Sequence, residues 1–170
     1  IYLMKIFFIR HAEGYHNVLK NGHDILSPEL TDDGINQAIN LSKLFEEIKI
    51  DIVAVSPLRR TLHTAEIIFG RRYFEILEDI REKVSYNCDF RESKNDLEVM
   101  FPYVNFSSLN DKVDYNKVEN EDDINKRLDK FYNWLLENNH YNNLVVVSHG
   151  NFLDRFLHKY HSKLEIPGFS

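Results

Sequence analysis

The sequence predicts an α/β sandwich built on a largely parallel sheet. Short apolar runs alternate along the chain with segments whose apolar residues recur at helical spacing. Two of these runs, over 6–9 and 144–147, each deliver a histidine just beyond their C-terminal end, His11 and His149. In an open α/β sheet, ligands bind at that edge. A histidine beside an arginine there, as in Arg10-His11, points to chemistry on a phosphoryl group.

Residues 5–9 read as the first strand. The apolar opening over 1–9 also has the look of a short signal segment, but Arg10-His11 follows where a small-residue cleavage site should stand. Residues 1–3, ahead of Met4, read as preceding the native start. The stretch 16–28 reads as a loop, marked by Asn21-Gly22 and Ser27-Pro28. Thr31 reads as a helix N-cap, with Asp32 and Asp33 at the positive end of the helix dipole. Ile35, Ala38, Ile39, Leu44, Phe45 and Ile48 then fall on one helical face. Residues 51–55 read as a strand. Ser56-Pro57 reads as a helix entry, with a capping serine and a proline at the first helical position. That helix is expected to run to about Phe69 and to end at Gly70, before a short strand at 74–77.

From 79 to about 117 the periodicity dissolves. This stretch reads as an ordered insertion over the sheet edge, with a short helix near 96–100. Its Tyr86, Phe90, Phe101, Tyr103 and Phe106 are expected mostly to form a small core of their own, lining of a substrate pocket being the alternative. Ile124, Leu128, Phe131 and Leu135 restore a helical period over 121–138. An asparagine-rich turn, a strand at 144–148 and a closing helix at 152–160 complete the chain.

A length of 170 residues fits one domain, 1–170, with the stretch at 79–117 as its insertion. The net charge of −6 argues against a nucleic-acid partner, so an anionic substrate would need a local cluster of arginines. Nothing approaches the ~20 apolar residues of a membrane span. A lone Cys88 excludes an intrachain disulfide and suits a reducing, cytoplasmic setting.

A phosphoryl-transfer site needs fixed cationic donors for three equatorial oxygens, a nucleophile in line, and an acid for the leaving oxygen. Neutral histidine is a competent nucleophile, and neighbouring arginines favour its neutral form. Arg10-His11 satisfies this, although a histidine at a strand end is also a common core residue. Arg59 is placed in the first turn of a helix, where a cation opposes the dipole unless an anion is bound. It therefore reads as a phosphate ligand, with solvation or pairing to a carboxylate as the alternative. Arg60 reads as a salt-bridge residue on another face. His149 either holds a phosphoryl oxygen as imidazolium or packs as a capping residue against His11. The histidines show no metal-binding spacing, and the arginines would repel a cation, so no metal or other cofactor is expected.

Four blocks together resemble the histidine phosphatase superfamily, the phosphoglycerate-mutase-like proteins. They are Arg10-His11-Ala12-Glu13-Gly14-Tyr15-His16-Asn17, Leu30-Thr31-Asp32-Asp33-Gly34-Ile35-Asn36-Gln37-Ala38, Ser56-Pro57-Leu58-Arg59-Arg60-Thr61-Leu62-His63-Thr64-Ala65 and Ser148-His149-Gly150. The resemblance implies a three-layer α/β/α sandwich. It implies a phosphoric monoester hydrolase of the histidine acid phosphatase type, with His11 as the nucleophile that becomes phosphohistidine. It places Arg10, Arg59 and His149 around the phosphate, with Asn17 joining them, and gives Thr31 and Gly34 structural roles. Ala12 stands where the family usually has glycine, which predicts a slightly tighter turn. Glu82 is the best match to the family's proton donor, with Asp79, Asp89 and Glu92 as rivals.

The expected function is metal-independent hydrolysis of a small phosphorylated metabolite. Phosphoglycerate mutase activity and non-catalytic binding of a phosphorylated ligand are the alternatives. The reading requires the rings of His11 and His149 to converge and the Arg59 guanidinium to face them.

Overall fold

The computed structural model describes residues 4–164. The expectation for residues 1–3 lies outside them. Among the described residues there are four strands: β1 (Lys5–Arg10), β2 (Ile52–Val55), β3 (Glu75–Ile76) and β4 (Asn143–Ser148). They form one parallel sheet in the order β1-β4-β2-β3. Six α-helices accompany them: α1 (Tyr15–Val18), α2 (Asp32–Ser42), α3 (Arg59–Phe69), α4 (Lys94–Met100), α5 (Glu121–Glu137) and α6 (Gly150–Tyr160).

Side chains alternate across a strand, so the buried strands feed two cores. Ile9, Val53, Val55, Val145 and Val147 pack with Ala38 of α2 and with Leu62, Ala65 and Ile68 of α3. Ile52, Ala54, Leu144 and Val146 pack on the other face with Ile124, Leu128, Phe131 and Leu135 of α5 and with Phe152 and Phe156 of α6. The result is a three-layer α/β/α sandwich. Both faces of the sheet are covered, which explains why its strands read as continuous apolar runs.

Local chemistry fixes the helix that follows the first loop. The Thr31 hydroxyl accepts from the Gly34 N–H at 2.9 Å and donates to the Glu13 carboxylate at 2.7 Å. A side chain at Gly34 would put its Cβ 2.1 Å from the Glu13 carbonyl oxygen. Thr31 and Gly34 thus seat α2 directly against the loop that follows His11. The α-helix stops at Ser42 and continues as a 3₁₀ turn over Lys43–Phe45. The apolar face expected as far as Ile48 is thereby broken, and Ile39 and Leu44 are exposed.

The insertion joins the core instead of building its own. Leu97, Phe101, Val104, Phe106 and Leu109 are buried in the same cluster as β2 and α3. Apart from α4 it holds only short 3₁₀ turns, at Glu78–Ile80 and Asn87–Asp89.

Candidate active site

Parallel strands β1 and β4 are neighbours in register, with Arg10 beside Ser148. The chain leaves both at the same edge, and the His11 N–H donates to the Ser148 carbonyl at 2.9 Å. The rings of His11 and His149 therefore converge, with centroids 5.2 Å apart. His149 is fully buried, and its Nε2 shares a 2.8 Å hydrogen bond with the Ser56 hydroxyl. Its Nδ1 is buried with no hydrogen-bond partner among the described residues.

His11 has a fixed tautomer. Its Nδ1 lies 2.7 Å from the Ala12 carbonyl, which can only accept, so Nδ1 carries the proton and Nε2 keeps its lone pair. The Arg60 Nε donates to that Nε2 at 3.2 Å. Burial first, then the charge of Arg60, hold the imidazole well below its ordinary 6.5. Ala12 anchors the turn from its other side, its N–H donating to the Thr64 hydroxyl at 3.1 Å.

Of the two neighbouring arginines, Arg60, and not the expected Arg59, turns toward His11. Arg59 pairs with Glu29 and lines neither cavity beside His11. Arg60 is the inward residue, 2% exposed, and its Nη1 also donates to the Cys88 carbonyl at 2.7 Å. The cause is the helix start. Ser56 does not cap α3, because its hydroxyl is taken by His149, and the helix begins at Arg59. Arg60 then shares a buried face with Thr64 and Ile68, four and eight residues on. That spacing was present in the sequence and would have identified the inward arginine.

Burial, then the charges of Arg60 and His11, push the His149 ring well below its ordinary 6.5. Gly150 is the first residue of α6, and its role is close approach. A Cβ there would lie 3.3 Å from the Arg10 Nε.

His16, read as a loop residue, lies on α1 and is buried, 5.3 Å from the His11 ring. Burial, then Arg60, drive it down to about 3. Asn17 lines the site and uses its side-chain oxygen to accept from the Gly14 N–H at 3.0 Å.

Two cavities flank His11. One of about 350 Å³ is bounded by Arg10, His11, His16, Asn17, Arg60 and Gly150, and by Glu82, Lys83, Tyr86, Cys88 and Asp89 from the insertion. The other, about 310 Å³, lies between Arg10, His11, Glu13, Asn17 and Gln37. Glu82 is seated at the N-terminus of α6. Its carboxyl accepts from the N–H groups of Lys83 at 2.8 Å, Asn151 at 3.2 Å and Phe152 at 3.2 Å. Burial still raises its pKa above the ordinary value, against those hydrogen bonds.

Of the rivals to Glu82, Asp89 faces the same cavity, with one carboxyl oxygen accepting from the N–H groups of Ser85 and Tyr86. Asp79 lies near Lys130 of α5, and neither it nor Glu92 borders the cavities beside His11.

Comparison with known proteins finds relatives over most of the chain. The adenosylcobalamin/alpha-ribazole phosphatase of Escherichia coli (strain K12) is 29% identical over 153 residues, covering 86% of this chain and 73% of that protein. Phosphoglycerate mutase-like protein 1 of Arabidopsis thaliana is 29% identical over 194 residues, covering 87% and 68%. The crystal structure of the alpha-ribazole phosphatase from Shigella flexneri superposes with a TM-score of 0.67 at 28% identity, over 92% of this chain and 79% of that one. Residues 6–169 match the family profile of the histidine phosphatase superfamily (branch 1). A match over nearly the whole chain, on the fold and motif blocks described above, makes this protein a member of that superfamily.

Proposed function

We propose that the chain is a phosphomonoester hydrolase that works through a phosphohistidine at His11, without a metal, on a small phosphorylated metabolite. One observation carries the reading. His11 is neutral, with its proton on Nδ1 and its Nε2 lone pair presented beside Arg10 and Arg60. The phosphatase names among its relatives point the same way.

In the first step the Nε2 lone pair attacks phosphorus and the ester P–O bond breaks. Protonated Glu82 gives its proton to the leaving oxygen. Arg10 and Arg60 meet the equatorial oxygens, Arg60 turning its Nε from the lone pair to the phosphate. His149 borders neither cavity beside His11, and Ser56 holds its Nε2, so Nδ1 is the one ring nitrogen free to meet a phosphoryl oxygen. In the second step water attacks phosphorus and yields a proton to the Glu82 carboxylate. The N–P bond breaks, and orthophosphate leaves. Two guanidinium groups supply the charge that a metal provides elsewhere.

Phosphate release from a panel of phosphorylated metabolites, with and without chelator, tests this reading. Release that survives chelation and disappears in His11→Ala supports it. Undiminished release in His11→Ala contradicts it. Isomerisation of phosphoglycerate without net phosphate release identifies a mutase, and no turnover of any phosphoester identifies a binding protein.

A further inference from the structure

Glu82 lies on a stretch, 81–84, that forms neither helix nor strand. Something other than a backbone ladder must hold its carboxyl in place. The holder is Arg127, a buried residue of α5 with no contact to the cavities beside His11. A guanidinium has five N–H donors, and here each has a partner. Nε and Nη2 grip the two Glu119 oxygens at 2.8 and 2.7 Å. Nη1 donates to the carbonyls of Asp79 at 2.7 Å and Arg81 at 2.8 Å, and Nη2 donates to the carbonyl of Glu82 at 3.2 Å.

Glu119 completes the clamp from the other side. Its carboxylate accepts from the Val84 N–H at 2.9 Å and from the Arg81 guanidinium at 3.2 Å, while its own N–H donates to the Val84 carbonyl at 3.0 Å. The segment is thus tied at 79, 81, 82 and 84 by one ion pair. The Arg127 guanidinium also lies 5.5 Å from the centre of the Phe152 ring, and the Phe152 N–H is one of the donors to the Glu82 carboxyl. A buried ion pair is a poor source of stability, because desolvation offsets its attraction. What this pair supplies is a fixed backbone path.

We propose that Arg127, with Glu119, is the positioning residue of the proton donor, holding residues 79–84 so that the Glu82 carboxyl stands at the N-terminus of α6 beside His11. The inference rests on the reading of Glu82 as the acid. The effect of losing the clamp is specific to substrates that need an acid. A poor leaving group, such as an alkyl phosphate, requires the proton; a nitrophenyl phosphate does not.

The test compares kcat/KM on these two substrates for the wild type, Glu82→Gln, Arg127→Met, Glu119→Gln and the double variant Glu82→Gln/Arg127→Met. Arg127→Met is expected to slow the alkyl phosphate about 10- to 100-fold, part of a general acid's contribution, and the nitrophenyl phosphate less than about 3-fold. Glu119→Gln, which keeps the side-chain shape, shows the same selectivity if Arg127→Met does not fold. The double variant is expected to be no slower on the alkyl phosphate than Glu82→Gln alone. Selective loss in Glu82→Gln with equal loss, or none, in the folded clamp variants overturns this inference and leaves the acid assignment standing. Loss in Glu82→Gln that is equal on both substrates overturns the acid assignment, and the inference with it.

Discussion

The Arg60 guanidinium donates to the one His11 nitrogen that carries a lone pair, across 3.2 Å. Burial first, and then this contact, favour the neutral imidazole, and the contact holds a cation beside the Nε2 lone pair. Arg59, one residue earlier, reaches Glu29 instead. The two neighbours therefore separate cleanly by experiment. Arg60→Ala is expected to lower kcat/KM by about 100-fold or more, as for loss of a preorganised charge at a transition state. Arg59→Ala is expected to stay within about 3-fold, since an exposed ion pair contributes little. Steady-state kinetics of the two variants checks this.

The helix phase explains why the sequence pointed to the wrong arginine. Ser56-Pro57 carries the composition of a helix start, but the Ser56 hydroxyl has a long-range partner in His149 that no local signal reveals. The strands were easier to read, because a sheet covered on both faces needs unbroken apolar runs at 52–55 and 144–147. His16 was missed because a four-residue helix has no period to detect, and Asn21-Gly22 nearby pulled the reading toward a loop. His11 and His149 were legible because a strand end fixes their position. The Arg127–Glu119 clamp was not, because it depends on folding 79–84 back against α5.

Three buried histidines tie stability to pH. His11, His16 and His149 are all held below 6.5 in the folded chain, His16 at about 3. Below 6.5 the unfolded chain binds protons on these side chains that the folded chain refuses, so unfolding becomes easier as pH falls. The loss begins near pH 6.5 and, for His16, continues down to about 3, at up to about 1.4 kcal/mol per pH unit for each neutral ring. Glu82, raised in the fold by burial, opposes this. Denaturant unfolding between pH 8 and pH 5 should therefore show stability level above about pH 7 and falling below it. In His16→Asn the slope should be shallower by one proton. A slope unchanged by that substitution contradicts the assignment.

The pH dependence of turnover follows from two of the same groups. His11 stays neutral as pH falls through 6.5, so the rate on an alkyl phosphate should not drop there as it would with an ordinary histidine nucleophile. The rate should fall on the alkaline side as Glu82 loses its proton. An activated nitrophenyl phosphate should lack that alkaline decline. Paired pH–rate profiles of the two substrates make the comparison.

Ser56 and His149 are both fully buried and meet at 2.8 Å. Ser56→Ala leaves Nε2 without its partner, a loss of about 1–3 kcal/mol for a buried polar group. Thermal unfolding measures it. A melting temperature equal to that of wild type shows that the serine is dispensable to the site.

The proposed chemistry turns on a covalent bond from phosphorus to one ring nitrogen of His11. Mixing the protein briefly with a nitrophenyl phosphate, quenching in alkali, and sequencing the peptides by mass spectrometry reads that bond directly. A phosphate adduct on His11 is expected to form within the first turnover, decay at the rate of phosphate release, and be absent from His11→Ala. Turnover with the adduct on another residue, or with activity intact in His11→Ala, would contradict it.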